Sequence, residues 1–365
     1  MPSYLNQIPP DLASLSDYQA YAQRNLTEQA WAYIHGGSAD EVTFQRNLSI
    51  YNRLQLNSRV LADVSKGNTE LTLLGQRLAH PILVAPVAYQ KLAHPDGEIA
   101  SAMAAAAQDA VFCLSTLASQ SLEDVAEHCD GPRWFQLYFQ NEREHTLALV
   151  RRAEQAGYRA LMVTVDAPVN GLRNREQRAG FQLPADVRAV NVTAPAVPVQ
   201  IQQGDSRVFQ GLMAQAPRWA DIQWLRQQTQ LPIILKGITN PQDVDKALAQ
   251  GIDGLVLSNH GGRTLDGLPN PIEVLPDIAE QVQSRVPLIV DSGIRRGGDV
   301  VKALALGADA VMIGRPVMYG LATAGALGVA HTLRLLRDEL ELTMALCGCA
   351  SLADITPDLV RYPKF

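Results

Sequence analysis

The sequence predicts a closed parallel (β/α)8 barrel of the α/β class, a TIM barrel. Three observations carry that expectation. Eight short apolar runs recur along the chain, at 82–86, 111–116, 134–138, 160–166, 232–237, 254–260, 287–293 and 310–315. Runs this short, rich in Val, Ile and Leu, read as strands buried on both faces. Most are followed by an amphipathic stretch that reads as a helix. Finally, almost every residue able to do chemistry lies at the C-terminal end of a run, where barrels of this type place their active sites.

The elements follow in order. Ser16 with Gln19 resembles a capping box and predicts a helix to about Ile34, outside the barrel. Asn240-Pro241 and Asn270-Pro271 read as N-cap and first-turn pairs opening two barrel helices. Gly251 and Gly307 would close two helices at C′. Strand starts are mostly 22 to 33 residues apart, but Ala160 and Pro232 are separated by 72. The excess lies at about 167–218, and its later part, 182–217, is rich in Ala, Val, Pro and Gln. A loop that long in a compact barrel predicts a lid, with an inert insertion as the alternative. Arg173 and Arg175 at its start favour the lid. A barrel of this type needs roughly 250 residues. The 365 residues here add an N-terminal extension, the long loop and a helical tail to a single domain over 1–365, with its core at about 80–330.

Composition narrows the class. Apolar residues are 47% and charged residues 19%, which permits a large core and excludes global disorder. The net charge of −6, without a basic run, argues against nucleic acid. Four cysteines are too few for a disulfide framework and point to a reducing compartment. Cys347 and Cys349 form a lone C-x-C without a second ligand pair, so buried small residues in a tail helix are expected rather than a metal site. No basic-then-apolar leader is visible, no run reaches about 18 apolar residues, and Pro363-Lys364-Phe365 is not a peroxisomal address. A cytoplasmic protein without a membrane partner is expected.

Two groups of residues carry chemistry. Asp291-Ser292-Gly293-Ile294-Arg295-Arg296-Gly297-Gly298 ends the seventh run, and Gly314-Arg315 ends the eighth. The loops after strands seven and eight are the usual phosphate site of such barrels. Glycines let backbone N–H groups approach oxygen, and arginines add charge-assisted hydrogen bonds. Lys236 ends the fifth run, as half of a salt bridge or as a cation beside something that becomes anionic. Gln136 and Thr164, with Ser115 and Ser258, offer hydrogen bonds suited to a planar polar ring. The second group is Ser258-Asn259-His260-Gly261-Gly262-Arg263. A lone histidine is more often structural, but this one could share a cavity with a guanidinium. Asp166 could hold the imidazole's other nitrogen, Tyr138 adds a phenol and Arg173 a second guanidinium. Two arginines, a histidine and a tyrosine suit a small carboxylate bearing a hydroxyl.

These motifs, with Trp134-Phe135-Gln136-Leu137-Tyr138, Thr164-Val165-Asp166 and Lys236-Gly237, resemble the FMN-dependent 2-hydroxy acid oxidase family, which includes glycolate, lactate and mandelate oxidases. The resemblance runs from about Tyr18 to Leu352. It implies that Ala85, Pro86, Val87 and Ala88, with Ser115, Gln136, Thr164 and Ser258, contact the FMN ring. Lys236 would stabilise negative charge on the reduced ring, and Asp291, Gly293, Arg295, Gly314 and Arg315 would bind the ribityl phosphate. His260 would be the base and Asp166 its partner. Arg263, Arg173 and Tyr33 would bind the substrate carboxylate, and Tyr138 the substrate hydroxyl. Oxygen is expected as acceptor, with hydrogen peroxide formed, and the resemblance implies a homotetramer or octamer. A dehydrogenase using another acceptor stays open, and so does a non-redox phosphate-binding barrel, although the latter explains neither Lys236 nor His260.

The chain departs from the plant glycolate oxidases at Val87, where they carry Thr, and at Leu117, where they carry Trp. Both changes make the pocket more apolar, and the second opens space. L-lactate is therefore expected as the favoured (S)-2-hydroxy acid, with mandelate or glycolate preference as the alternative. Counting back from Phe181 places Arg173, not Arg175, in the carboxylate role.

Overall fold

The computed structural model describes residues 4–192, 202 and 204–362. Eight parallel strands close into a barrel: β1 Ile82–Val84, β2 Phe112–Ser115, β3 Arg133–Leu137, β4 Leu161–Thr164, β5 Ile233–Ile238, β6 Gly254–Leu257, β7 Leu288–Val290 and β8 Ala310–Ile313. Each pairs with its neighbour in sequence, and β8 closes on β1 with Met312 opposite Leu83.

Side chains alternate between the barrel interior and the helical layer. The inward set includes Leu83, Cys113, Trp134, Met162, Ile234, Val256, Ile289 and Met312. A hairpin of Leu71–Leu73 and Gln76–Leu78 plugs the lower end with Leu73 and Leu78. The outward set, among them Phe112, Leu114, Phe135 and Leu137, packs in the main core with the surrounding helices. Two residues further along the strands the inward face turns polar: Ser115, Gln136, Thr164, Lys236, Ser258 and Asp291. Strand register brings Ser115 opposite Gln136 and Thr164 opposite Lys236. The apolar layer below fixes which parity faces inward, so the polar residues above it share one mouth.

Local signals hold where capping chemistry is explicit. The Asn240 side chain accepts from the Gln242 N–H ahead of helix Pro241–Ala249. Asn270 accepts from Ile272 N–H, and Glu273 reaches back to the Asn270 N–H, in a complete capping box. Gly251 and Gly307 sit at φ +68° and +110° after their helices. The N-terminal expectation fails. Ser16 makes no side-chain cap, and the helix Asp17–Asn25 stops at Leu26, which is extended. Thr27 then caps a second helix, Glu28–His35, by accepting from Ala30 N–H. A capping hydroxyl inside the apolar pattern restarted the helix and turned it toward the barrel mouth.

The four cysteines are free and buried. Among the described residues no cluster of metal-ligating side chains occurs. No helix among them is long and apolar enough to cross a membrane. The long loop after β4 is structured at its start, with a short helix at Asn174–Arg178. Val190 N–H then donates to Ala118 O, and the buried Asn191 accepts from Leu122 N–H. Much of its Ala-, Val- and Pro-rich part, 193–201 and 203, lies outside the described residues.

Candidate active site

The barrel mouth opens into a cavity of about 180 Å³ lined from every quarter of the chain. Tyr33 comes from the N-terminal helices, Ala85 to Ala88 from the end of β1, and Ser115 and Leu117 from β2. Gln136, Tyr138, Thr164, Lys236, His260 and Arg263 follow, with Asp291, Gly293, Arg295, Gly314 and Arg315 on the far wall. Asn170 and Arg173 from the long loop complete it.

One side carries a hydrogen-bonded ladder. Gln136 Oε1 accepts from Ser115 Oγ at 3.2 Å and from Thr116 N–H at 3.1 Å, while its Nε2 donates to Thr164 Oγ1 at 3.0 Å. Lys236 is buried, donates to Ser258 Oγ at 3.0 Å, and lies 3.1 Å from Asp291 Oδ2. Burial alone lowers an ammonium's proton affinity, but the Asp291 and Asp166 charges outweigh it and hold Lys236 above its ordinary value. The salt bridge and the cation facing the cavity are thus one arrangement.

Two expected contacts change. Ser258 does not line the cavity; its hydroxyl sits behind it, accepting from Lys236 and from the His260 N–H. Asp291 was expected among the phosphate ligands, but its carboxylate is committed to Lys236 and Ser292 Oγ. A carboxylate repels phosphate and suits hydroxyl groups instead.

The His260 turn is the tightest element. His260, Gly261 and Gly262 have φ of +57°, +65° and +73° in succession. A Cβ on Gly261 would come within 2.7 Å of Arg315 Nη1, and one on Gly262 within 2.7 Å of Phe44 N. Only glycines let this turn approach both. Behind it lies a buried amide network that sequence reading missed. Asn47 and Asn259 exchange side-chain hydrogen bonds at 2.9 and 2.7 Å, and Asn270 donates to Asn47 Oδ1 at 2.8 Å. Asn259 also accepts from Gly262 N–H at 3.0 Å. Asn259 stands inside the motif, but its partners are remote in sequence.

His260 Nδ1 lies 3.0 Å from Asp166 Oδ1. The carboxylate accepts there, which assigns the proton to Nδ1 and leaves the Nε2 lone pair free. Asp166 is buried, which raises its proton affinity, but the charge and hydrogen bond of His260 and the charge of Lys236 bring the carboxyl below its ordinary value. Gly237, at φ +112°, lets the chain pass under Asp166, since a Cβ there would sit 2.4 Å from Asp166 Cβ. Burial pushes Tyr138 up to about 12, so it stays a neutral phenol with a proton to donate.

Arg263 and Arg173 share one rim. Arg263 Nη1 donates to Tyr33 O at 2.6 Å and Gly36 O at 2.9 Å, and its guanidinium lies 5.0 Å from the Tyr33 ring centroid. Phe181 stacks on Tyr33 at 4.8 Å. Arg175 is drawn elsewhere, forming a two-point ion pair with Glu41. Of the two loop arginines, Arg173 is therefore the one that faces the cavity. Burial and the Arg263 charge push it below its ordinary value, though a guanidinium remains charged. Asn170 and Glu176 were not anticipated; the i, i+3 spacing of Arg173 and Glu176 was the available signal.

The far wall suits an anion. Arg315 is half-buried, donates to Ile34 O, Gly36 O and Gly261 O, and lies 4.6 Å from the Phe44 ring centroid. Arg295 is likewise half-buried, and neither forms an ion pair with a described carboxylate. Burial pushes both below their ordinary values. Arg315 also opens helix Arg315–Leu346, whose first turn has no side-chain cap.

The chain matches the model of the FMN-dependent dehydrogenase family over residues 22–362. An L-lactate oxidase of Alicycliphilus denitrificans is 47% identical over 97% of this chain and 97% of its own. Glycolate oxidase 1 of Zea mays is 44% identical, covering 95% of each. The crystal structure of mandelate oxidase with (S)-2-phenylpropionate is similar at a TM-score of 0.88, with 40% identity over 97% of this chain and 99% of that one.

Proposed function

Because the chain belongs to the family of FMN-dependent dehydrogenases, we propose that its cavity oxidises (S)-2-hydroxy acids, L-lactate first among them, at the rim where His260 faces Arg173, Arg263 and Tyr138. FMN-dependent 2-hydroxy acid oxidation is the chain's reaction, and its relatives give the non-redox barrel no support. One observation carries the site assignment. A histidine with its Nδ1 tied to a buried carboxylate shares a single cavity with two guanidiniums and a neutral phenol.

The residues fit FMN. Two half-buried guanidiniums without carboxylate partners, beside an uncapped helix start, match a phosphate. The Gln136 ladder matches a planar ring with polar edges, and Asp291 matches ribityl hydroxyls. Bound FMN supplies a two-electron acceptor that oxygen regenerates, giving hydrogen peroxide.

The chain's own residues do the rest. Arg263 and Arg173 bind the carboxylate and fix which face of the substrate's second carbon is presented. Tyr138 donates to the substrate hydroxyl. His260 Nε2 takes the proton of that hydroxyl, and Asp166 stabilises the resulting imidazolium. The C2 hydrogen leaves with its bonding electron pair for the two-electron acceptor that FMN would supply, and the C2–O bond becomes a carbonyl. Lys236 balances the negative charge that arrives beside it.

Val87 and Leu117 supply apolar contact for the substituent on the second carbon. Their methyl groups support L-lactate over glycolate. The start of the long loop covers this rim, with Arg173 lining the cavity and Phe181 stacked on Tyr33. We place the protein in the cytoplasm on its four free buried cysteines. A homotetramer rests on the family resemblance.

The test uses purified holoenzyme. (S)-Lactate, glycolate and (S)-mandelate should each be compared for anaerobic bleaching of the visible flavin band, followed by mixing with oxygen and peroxide assay. Bleaching by lactate with rapid reoxidation is expected. His260→Ala should keep its flavin and lose bleaching. A His260→Ala enzyme reduced at the parent rate would remove His260 from the reaction.

A further inference from the structure

Glu176 lies in the short helix Asn174–Arg178, three residues beyond Arg173, and no role above uses it. Its side chain is 14% exposed. Oε1 lies 3.8 Å from Arg173 Nε and 3.6 Å from Arg263 Nη2. Both separations exceed a hydrogen bond, and Oε1 is buried without a hydrogen-bond partner. Glu176 therefore meets the two guanidiniums through charge, not through a fixed fork.

The two arginines depend on it unequally. Arg263 is already held by the carbonyls of Tyr33 and Gly36 and by the Tyr33 ring. Arg173 has no such support. Its Nη1 is buried without a hydrogen-bond partner, and Glu176 is the one described carboxylate within ion-pair range. It stands beside a like charge, and its neighbour Leu172 is exposed, so solvent lies within reach of this stretch of chain. A buried guanidinium next to another stays in place only if a counter-ion offsets the repulsion.

We propose that Glu176 is a positioning residue: it is the counter-ion that keeps Arg173 beside Arg263 so that both guanidiniums receive one substrate carboxylate. The inference rests on the reading that these two arginines bind that carboxylate. Burial raises the Glu176 carboxyl, and the charges of Arg263 and Arg173 offset part of that rise, so its charged partners are those two groups. Removing an anion from the rim also adds attraction for the substrate. The loss of Arg173 outweighs that gain, because Arg173 then has neither a hydrogen bond nor an ion pair inside the protein.

The test titrates FMN holoenzyme with propanoate, which keeps the carboxylate and lacks the hydroxyl, following the perturbation of the flavin spectrum at fixed ionic strength. Glu176→Gln keeps the shape and removes the charge. It should raise the propanoate Kd at least about tenfold and the KM for (S)-lactate in parallel. The limiting rate of flavin reduction should stay within about threefold, since His260 and Asp166 are untouched. Glu176→Asp keeps the charge on a shorter arm and should fall between the two; it carries the same test if Glu176→Gln fails to fold. Arg173→Met is titrated beside them. If Arg173→Met binds propanoate like the parent, the carboxylate assignment itself is wrong. If Arg173→Met weakens binding while Glu176→Gln leaves it unchanged or tightens it, Glu176 is not the positioning group. A reduction rate that collapses with unchanged propanoate affinity overturns the proposal equally.

Discussion

Replacing Asp166 by Asn removes a charge and keeps a hydrogen-bond acceptor for His260 Nδ1–H. The substitution therefore isolates the electrostatic part of the couple. Asp166 Oδ1 lies 3.0 Å from Nδ1, and the side chains are 8% and 24% exposed. Charge centres about an ångström farther apart, in an effective dielectric near 20, attract by roughly 4 kcal/mol. That attraction exists only once His260 has taken the substrate proton, so it lowers the barrier and leaves substrate binding largely alone. Screening through the partly open imidazole trims it to about 3 kcal/mol. The limiting rate of anaerobic flavin reduction should fall by about two to three orders of magnitude. The assay is stopped-flow bleaching of the flavin band against (S)-lactate, with propanoate affinity as the binding control. A fall of less than about tenfold, with flavin and propanoate still bound, would refute the reasoning. A large loss of propanoate affinity would show instead that Asp166 shapes the rim.

Asp166 also predicts an acid limb in stability. Its folded carboxyl is held below the ordinary value, so the stability it contributes is present above the unfolded value of about 4 and is lost as pH falls through the folded one. The urea midpoint of the parent should drop more steeply below about pH 5 than that of Asp166→Asn, and parallel curves would contradict this. Lys236→Met strands a buried Asp291 carboxylate, at a cost of about 3–5 kcal/mol in unfolding free energy, and should weaken sulfite binding by the holoenzyme. Unchanged sulfite affinity with flavin retained would place the cation's effect elsewhere. Leu117→Trp should shift the lactate-to-glycolate ratio of kcat/KM toward glycolate by roughly 10–200-fold, as judged from a substrate panel at constant oxygen. A parent that prefers glycolate, or a ratio that does not move, would sink the substrate assignment.

The sequence by itself determined the eight strands, their apolar lower layer and the inward parity that carries Gln136, Thr164 and Lys236 to the mouth. Those features depend on period-two burial and on turns, which neighbouring residues specify. Asn240, Asn270, Gly251 and Gly307 were legible for the same reason, because a cap bonds within its own first or last turn. Thr27 shows how local the signal has to be: its cap restarts a helix that the apolar pattern alone would continue.

Tertiary structure decided what depends on closure. Counting back from Phe181 favours Arg173 over Arg175, but the reason Arg175 is drawn away is Glu41, which arrives from another part of the chain. Ser258 keeps the inward parity, yet Lys236 lies over it, so it serves the cation and the His260 turn instead of the cavity wall. Asn47 and Asn259 are separated by 212 positions, and their hydrogen bonds exist only after the barrel closes. Tyr33 reaches Arg263 only because a helix restarted at Thr27 packs over the mouth. Short-range hydrogen bonds and alternating burial are written in adjacent residues. The choice among several charged or polar groups of the same kind is made by whichever remote partner arrives within a few ångströms.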